Sequence, residues 1–249
     1  MSSLPGQHQN QILAALPAVD FARLAGQLEL VSLRVGDTLY DPGEPLQYAY
    51  FPTTAIVSLH LVSESSTSVE ISGVGNDGMV GVSLFMGGET TSSSATVRTS
   101  GYAYRLEAHW LKQEFDHAGP MRDLLLRYSL GFMAQIGRAA VCNRHHSLEQ
   151  HLCTWLLMSL DRSLAPEFTV TQSLVAVILG VPAENITGTA ARLQQAGYIR
   201  YRRSHLTVGQ RAGLESCACE CYAVGKQEMQ RLLFKLEDQL ACAVETDTS

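Results

Sequence analysis

Residues 171–197 read TQSLVAVILGVPAENITGTAARLQQAG. Thr171 is a helix-capping residue, and the helix it starts runs to Leu179 before Gly180 breaks it. Pro182 fits the first turn of a second helix, which ends near Gln195, ahead of Gly197. Val175, Leu179, Val181 and Ile186 are apolar, and the small Ala176 stands where the two helices would cross. Two short helices about a glycine turn are the pattern of a helix-turn-helix, whose second helix fits a DNA major groove about 12 Å wide. Tyr198-Ile199-Arg200-Tyr201 then alternates like a strand, Arg202-Arg203-Ser204 turns, and His205-Leu206-Thr207-Val208 gives a second strand. Helix-turn-helix plus hairpin is a winged helix.

The charge pattern agrees. The chain has 249 residues, a net charge of −6 and a pI near 5.7, which excludes a general nucleic-acid coat. Yet no Asp or Glu occurs from Asn185 to Leu214, where Arg192, Arg200, Arg202, Arg203, Arg211 and His205 cluster. On a winged helix that local basic patch falls where phosphates would lie.

Upstream, the composition (46% hydrophobic, 17% charged) supports a buried core and excludes a disordered chain. Residues 7–28 read as one helical zone. Residues 29–106 read as β, with turns at Val35-Gly36-Asp37, Asp41-Pro42-Gly43, Gly75-Asn76-Asp77-Gly78 and Gly87-Gly88. Short strands punctuated this regularly predict a sandwich or jelly roll. Residues 107–163 read as helical. Pro120 starts the longest predicted helix, a rod of roughly 37 Å. Met121, Leu125, Tyr128, Phe132, Ile136 and Ala139 recur along it, forming either core or a dimer seam. Gly131 and Gly137 weaken it as an isolated helix. Ser147 and Gln150 form a capping box for the next helix, whose buried stripe is Leu148, Leu152, Trp155, Leu156 and Leu160. Pro166 marks a linker. No stretch reaches the about 20 apolar residues of a membrane span, and Met1 to Gln11 lack a secretory pattern, so a cytoplasmic protein without membrane contacts is expected.

A β-roll, a long helix and a C-terminal winged helix, in that order, resemble the Crp/Fnr transcription regulators. Gly75-Asn76-Asp77-Gly78-Met79-Val80-Gly81, Cys142-Asn143-Arg144-His145-His146-Ser147, the Leu179-Gly180-Val181 turn and Cys219-Glu220-Cys221-Tyr222 carry the resemblance. It implies an α+β chain. The N-terminal roll, of cyclic-nucleotide-binding type, spans residues 1–118. A dimerisation helix follows over 119–146, and a winged helix-turn-helix with a helical extension over 147–249. It also implies a homodimer on a palindromic operator that recruits or blocks RNA polymerase. Candidate DNA contacts are Thr171, Gln172 and Ser173 in the first helix; Pro182, Ala183, Glu184, Asn185, Thr187, Thr189 and Arg192 in the second; and Arg202, Arg203 and His205 in the wing. Relatives usually carry arginine early in the second helix, where this chain has Pro182 and Ala183. Glu184 could accept from a cytosine amine and Asn185 could pair with adenine. The expected seam residues are Leu125, Tyr128, Phe132, Ile136 and Ala139. A ligand- or redox-sensing dimer whose DNA reader has degenerated is the alternative.

The corresponding effector pocket would comprise Gly81, Val82, Ser83, Ser93 and Ser94. In cyclic-nucleotide-binding relatives a glutamate stands at the place of Val82 and an arginine at that of Ser93. Neither replacement supplies charge, so cyclic AMP is not expected to bind, and no cofactor is predicted. Arg98 is an odd number of residues from Ser93 and points to the opposite face of a regular strand. No nucleophile elbow, phosphate loop or metalloprotease signature is present, so the chain is not read as an enzyme. All six cysteines lie beyond residue 141. Cys217 and Cys221 would share a helical face with Cys219 pointing elsewhere, a spacing that does not suit a zinc ribbon. His145, His146 and His151 sit with Cys142 at a helix junction and read as polar surface; no metal site is assigned.

Overall fold

The computed structural model describes residues 9–62, 68–163, 167–202 and 205–246. The helical zone at the N-terminus is two helices, α1 (Gln11–Ala14) and α2 (Ala18–Ala25). Pro17 divides them, because the residue before a proline is pushed out of helical geometry. Asn10 caps α1, its side-chain oxygen accepting from the Ile12 and Leu13 amides while its Nδ2 donates to the Pro52 and Gly78 carbonyls.

Seven strands follow: β1 (Glu29–Leu33), β2 (Thr38–Tyr40), β3 (Tyr48–Pro52), β4 (Ile56–Val62), β5 (Ser68–Val74), β6 (Ser93–Thr99) and β7 (Gly101–Glu107). They form two antiparallel sheets, β1-β7-β3 and β2-β6-β4-β5. Phe51, Val57, Ala95, Val97, Tyr104 and Leu106 fill the space between them. This is the expected roll.

After α3 (Ala108–Asp116), α4 (Pro120–His145) begins with Pro120 at its first position. Met121, Leu124, Leu125 and Tyr128 are buried in the core of the roll. The Tyr128 hydroxyl donates to the Met79 carbonyl at 3.0 Å. Leu125 and Tyr128, expected at a dimer seam, are instead used up by packing within the chain's own roll. Phe132 is partly buried behind them, its ring 5.9 Å from that of Tyr128, and Ile136 and Ala139 are half-buried. The exposed apolar stripe of α4 lies elsewhere, at Leu126, Leu130, Met133 and Val141 (48%, 50%, 55% and 47% exposed).

The C-terminal half contains α5 (Leu148–Asp161), β8 (Glu167–Thr169), α6 (Gln172–Leu179), α7 (Ala183–Gln195), β9 (Ile199–Arg202), β10 (His205–Val208), α8 (Arg211–Cys217) and α9 (Glu220–Thr246). The Ser147–Gln150 capping box starts α5. Leu152, Trp155, Leu156, Leu179, Ile186 and Leu193 share one core; Leu148 and Leu160 pack at its edge. The wing is three-stranded, β8-β10-β9, so the hairpin read from sequence gains a strand. Pro166 lies outside the described residues. With 27 residues, α9 is one longer than α4, and it leaves the C-terminal core to lie along α4, burying Leu233 with the roll. Gly131 makes this crossing feasible: a Cβ there would stand 3.0 Å from Met229 Sδ. Among the described residues no single helix is long and apolar enough to cross a membrane.

Candidate nucleic-acid interface

Local chemistry builds the helix-turn-helix. The Thr171 hydroxyl accepts from the Leu174 amide at 3.1 Å. Gly180 ends α6 at φ +66°, and the following amide, Val181, closes back on the Ala176 carbonyl at 3.0 Å. That left-handed position favours glycine. Between α6 and α7 the chain bends by 111°. Pro182 is the residue that precedes α7, with Ala183 its first helical position.

Ile186, Ala190 and Leu193 turn one face of α7 into the core, leaving Pro182, Ala183, Glu184, Asn185, Thr187, Gly188 and Ala191 exposed. Thr189 is a correction: it is 2% exposed, its hydroxyl donates to the Asn185 carbonyl at 2.9 Å, and it cannot reach a ligand. Thr187 donates to Gln172 Oε1 at 2.7 Å, tying the start of α6 to α7. Ser173 lies beside the Thr171 hydroxyl at 3.1 Å. Arg192 is exposed but paired, its Nε donating to Glu149 Oε2 at 2.9 Å. In the wing Arg200 and Arg202 are both exposed, on the same side of β9. Arg200 was not among the candidate contacts; the two-residue strand period from Arg202 was the signal that could have found it. Arg203 lies outside the described residues, and His205 begins β10 opposite Arg202.

In the roll, Gly81 adopts φ +103° ahead of a single helical turn, Val82–Leu84, and its carbonyl accepts from the Leu84 amide at 3.1 Å. Val82 packs against the core. Ser83 is half-buried. Ser93 is buried with its hydroxyl 3.1 Å from that of Thr91, and Ser94 is half-buried opposite His60. Ser93, Ala95 and Val97 face one way. The register shifts at Ile56/Val57, opposite Arg98. The Arg98 guanidinium leaves the roll interior to meet Glu70 Oε1 and Ser159 Oγ, each at 3.1 Å, and lies over the Trp155 ring. It joins the roll to α5.

The cysteines differ from the sequence reading. Ala218 breaks the helix between α8 and α9, so Cys217 and Cys221 do not share one face. Cys219 Sγ instead lies 3.6 Å from Cys142 Sγ, and Cys221 Sγ 3.7 Å from His146 Nδ1. His145 is exposed and His151 half-buried.

The profile of the Crp-like helix-turn-helix domain family matches residues 150–217. No curated protein sequence matches the chain. Solved structures that share its architecture include the following three. A Crp/Fnr-family transcriptional regulator from Eubacterium rectale is 13% identical, with a TM-score of 0.64 over 83% of this chain and 96% of that one. FixK2 from Bradyrhizobium japonicum is 13% identical, with a TM-score of 0.64 over 77% and 98%. The c-di-GMP-responsive global regulator CLP from Xanthomonas campestris is 16% identical, with a TM-score of 0.58 over 78% and 100%. The chain thus carries a Crp-like helix-turn-helix domain over residues 150–217, on a fold shared with solved regulators of the Crp/Fnr family.

Proposed function

We propose that the protein acts in the cytoplasm as a homodimer on a palindromic operator, where it contacts RNA polymerase, and that an effector other than cyclic AMP modulates it. The observation that carries this reading is the exposed face of α7 set beside Arg200 and Arg202 in an otherwise acidic chain. Phosphate contacts from the wing would set orientation, and Glu184 and Asn185 would read base edges. The exposed stripe of α4 supports a two-fold seam along that helix. Two copies then present two α7 helices to half-sites one helical turn apart.

A second reading also has an observation behind it. The exposed α7 face carries Ala183, Gly188 and Ala191 and no arginine besides Arg192, which Glu149 holds. A dimer with degenerate sequence recognition would bind operator and random duplex equally. Mobility shifts of the full chain on the promoter of its own gene and on random duplex, at two salt concentrations, separate the two. Retardation of the promoter at lower protein concentration supports an operator reader, with steep loss at higher salt. No retarded species at low salt with folded protein overturns the proposal.

A further inference from the structure

Four side chains converge at the joint between the long helix and the C-terminal half. Cys142 stands in the last turn of α4 and His146 caps its end, the His146 amide donating to the Cys142 carbonyl at 3.2 Å. Cys219 and Cys221 flank the first residue of α9. One potential ligand atom from each lies within 4.8 Å of all the others. Zn–S bonds of about 2.3 Å and Zn–N bonds of about 2.0–2.1 Å place tetrahedral ligand atoms roughly 3.6–3.8 Å apart. The Cys142–Cys219 sulfurs are 3.6 Å apart, and Cys221 Sγ is 3.7 Å from His146 Nδ1.

The surroundings match a metal centre too. The other ring nitrogen of His146, Nε2, lies 3.1 Å from Glu220 Oε1, the carboxylate–imidazole pairing that orients a ligating histidine. The Thr154 hydroxyl of α5 is 3.1 Å from Cys219 Sγ, placed to donate to a thiolate. A disulfide between Cys142 and Cys219 would use only two of the four groups and give the histidine and its carboxylate no task.

We infer that Cys142, His146, Cys219 and Cys221 form a four-ligand Zn2+ site that ties the start of α9 to the end of α4. Soft thiolates with one imidazole in a tetrahedron select zinc. Binding displaces the thiol protons to solvent and moves no electrons. With four protein ligands the site is closed, hence structural rather than hydrolytic. Because Thr154 belongs to α5, the ion also fixes how the DNA-binding half sits on the long helix.

The test uses the full chain, reduced, stripped with a chelator and titrated with Zn2+ against a chromophoric chelator, with Co2+ as a spectroscopic probe. The expected result is one Zn2+ per chain and, for Co2+, sulfur-to-metal charge transfer with the intense visible bands of a tetrahedral ion. Glu220→Gln should weaken Zn2+ about 10–100-fold, and Cys221→Ser and His146→Gln by more. Cys217→Ser, outside the ligand set, should leave the affinity unchanged. If a ligand variant fails to fold, the Glu220→Gln titration and the wild-type Co2+ spectrum still decide. No zinc uptake by folded wild type overturns the site, as does an octahedral Co2+ spectrum. So does a loss in Cys217→Ser equal to that in Cys221→Ser, or a Cys142–Cys219 disulfide that forms in air at the same rate with zinc as without it. The readout is metal binding alone, so its failure leaves the DNA-binding reading untouched.

Discussion

Arg162, just past the end of α5, donates from Nε to Asp77 Oδ2 of the roll at 2.8 Å, with the two side chains 6% and 23% exposed. Its Nη2 reaches Gln135 Oε1 of α4 at 3.0 Å, so one guanidinium joins the end of α5 to both the roll and α4. Gly75 lies directly against its stem: a Cβ there would stand 2.5 Å from Arg162 Cβ. Gly75→Ala should cost about 1–3 kcal/mol by overpacking. Arg162→Met should cost about 3 kcal/mol, the low end for a buried pair, because Asp77 retains some water. Urea denaturation checks both; an unchanged midpoint for Gly75→Ala would mean that the two halves do not dock in this way.

Gly180 has no neighbour within 4 Å of a Cβ, so its requirement is purely conformational. Gly180→Ala should cost about 1–2 kcal/mol through the left-handed backbone alone. Asparagine, better tolerated there, should cost less. Thermal unfolding should rank glycine above asparagine above alanine; an alanine variant as stable as wild type would refute a left-handed residue 180.

The two faces of α4 make opposite predictions. Leu130→Glu places a charge on the exposed stripe and should yield a folded monomer by light scattering. Leu125→Glu buries an unpaired charge in the roll and should unfold it. A folded Leu130→Glu dimer would move the seam elsewhere.

His60, on β4, has its pKa held below the ordinary 6.5 by burial, with Arg98 adding to the effect and Glu70 opposing it. As pH falls through 6.5 the unfolded chain takes up this proton before the folded one does. The stability linked to His60 is therefore intact above pH 6.5 and declines as pH drops toward the folded-state value. His60→Gln removes the titration. The stability difference between wild type and variant, followed by urea denaturation across this range, should shrink on acidification; a difference that grows would reverse the assignment.

Calorimetry with cyclic AMP should show no binding. A buried phosphodiester needs fixed positive charge. Arg98 is committed to Glu70 and Ser159, and Ser93 and Ser94 are neutral. A micromolar dissociation constant would overturn this.

Local signals carried much of the fold. A cap at Thr171, the break at Gly180, Pro120 and the Ser147 box each act within about one helical turn, so a single chain reveals them. Strand punctuation showed the roll for the same reason. Period alone could not say which face of α4 meets what: Leu125 and Leu126 are neighbours in sequence, yet the roll buries one and leaves the other to solvent. Thr189 illustrates the same limit, since only the packing of α7 turned its hydroxyl inward. The cysteines were furthest from view. Cys142 and Cys219 are 77 residues apart, and their meeting depends on a helix break at Ala218 and on α9 lying back along α4. The sequence determined most of the elements and their order, though not β8 or the break at Ala218, because propensities and caps are local. Tertiary structure alone decided which side chains share a site, because burial is set by what each face packs against.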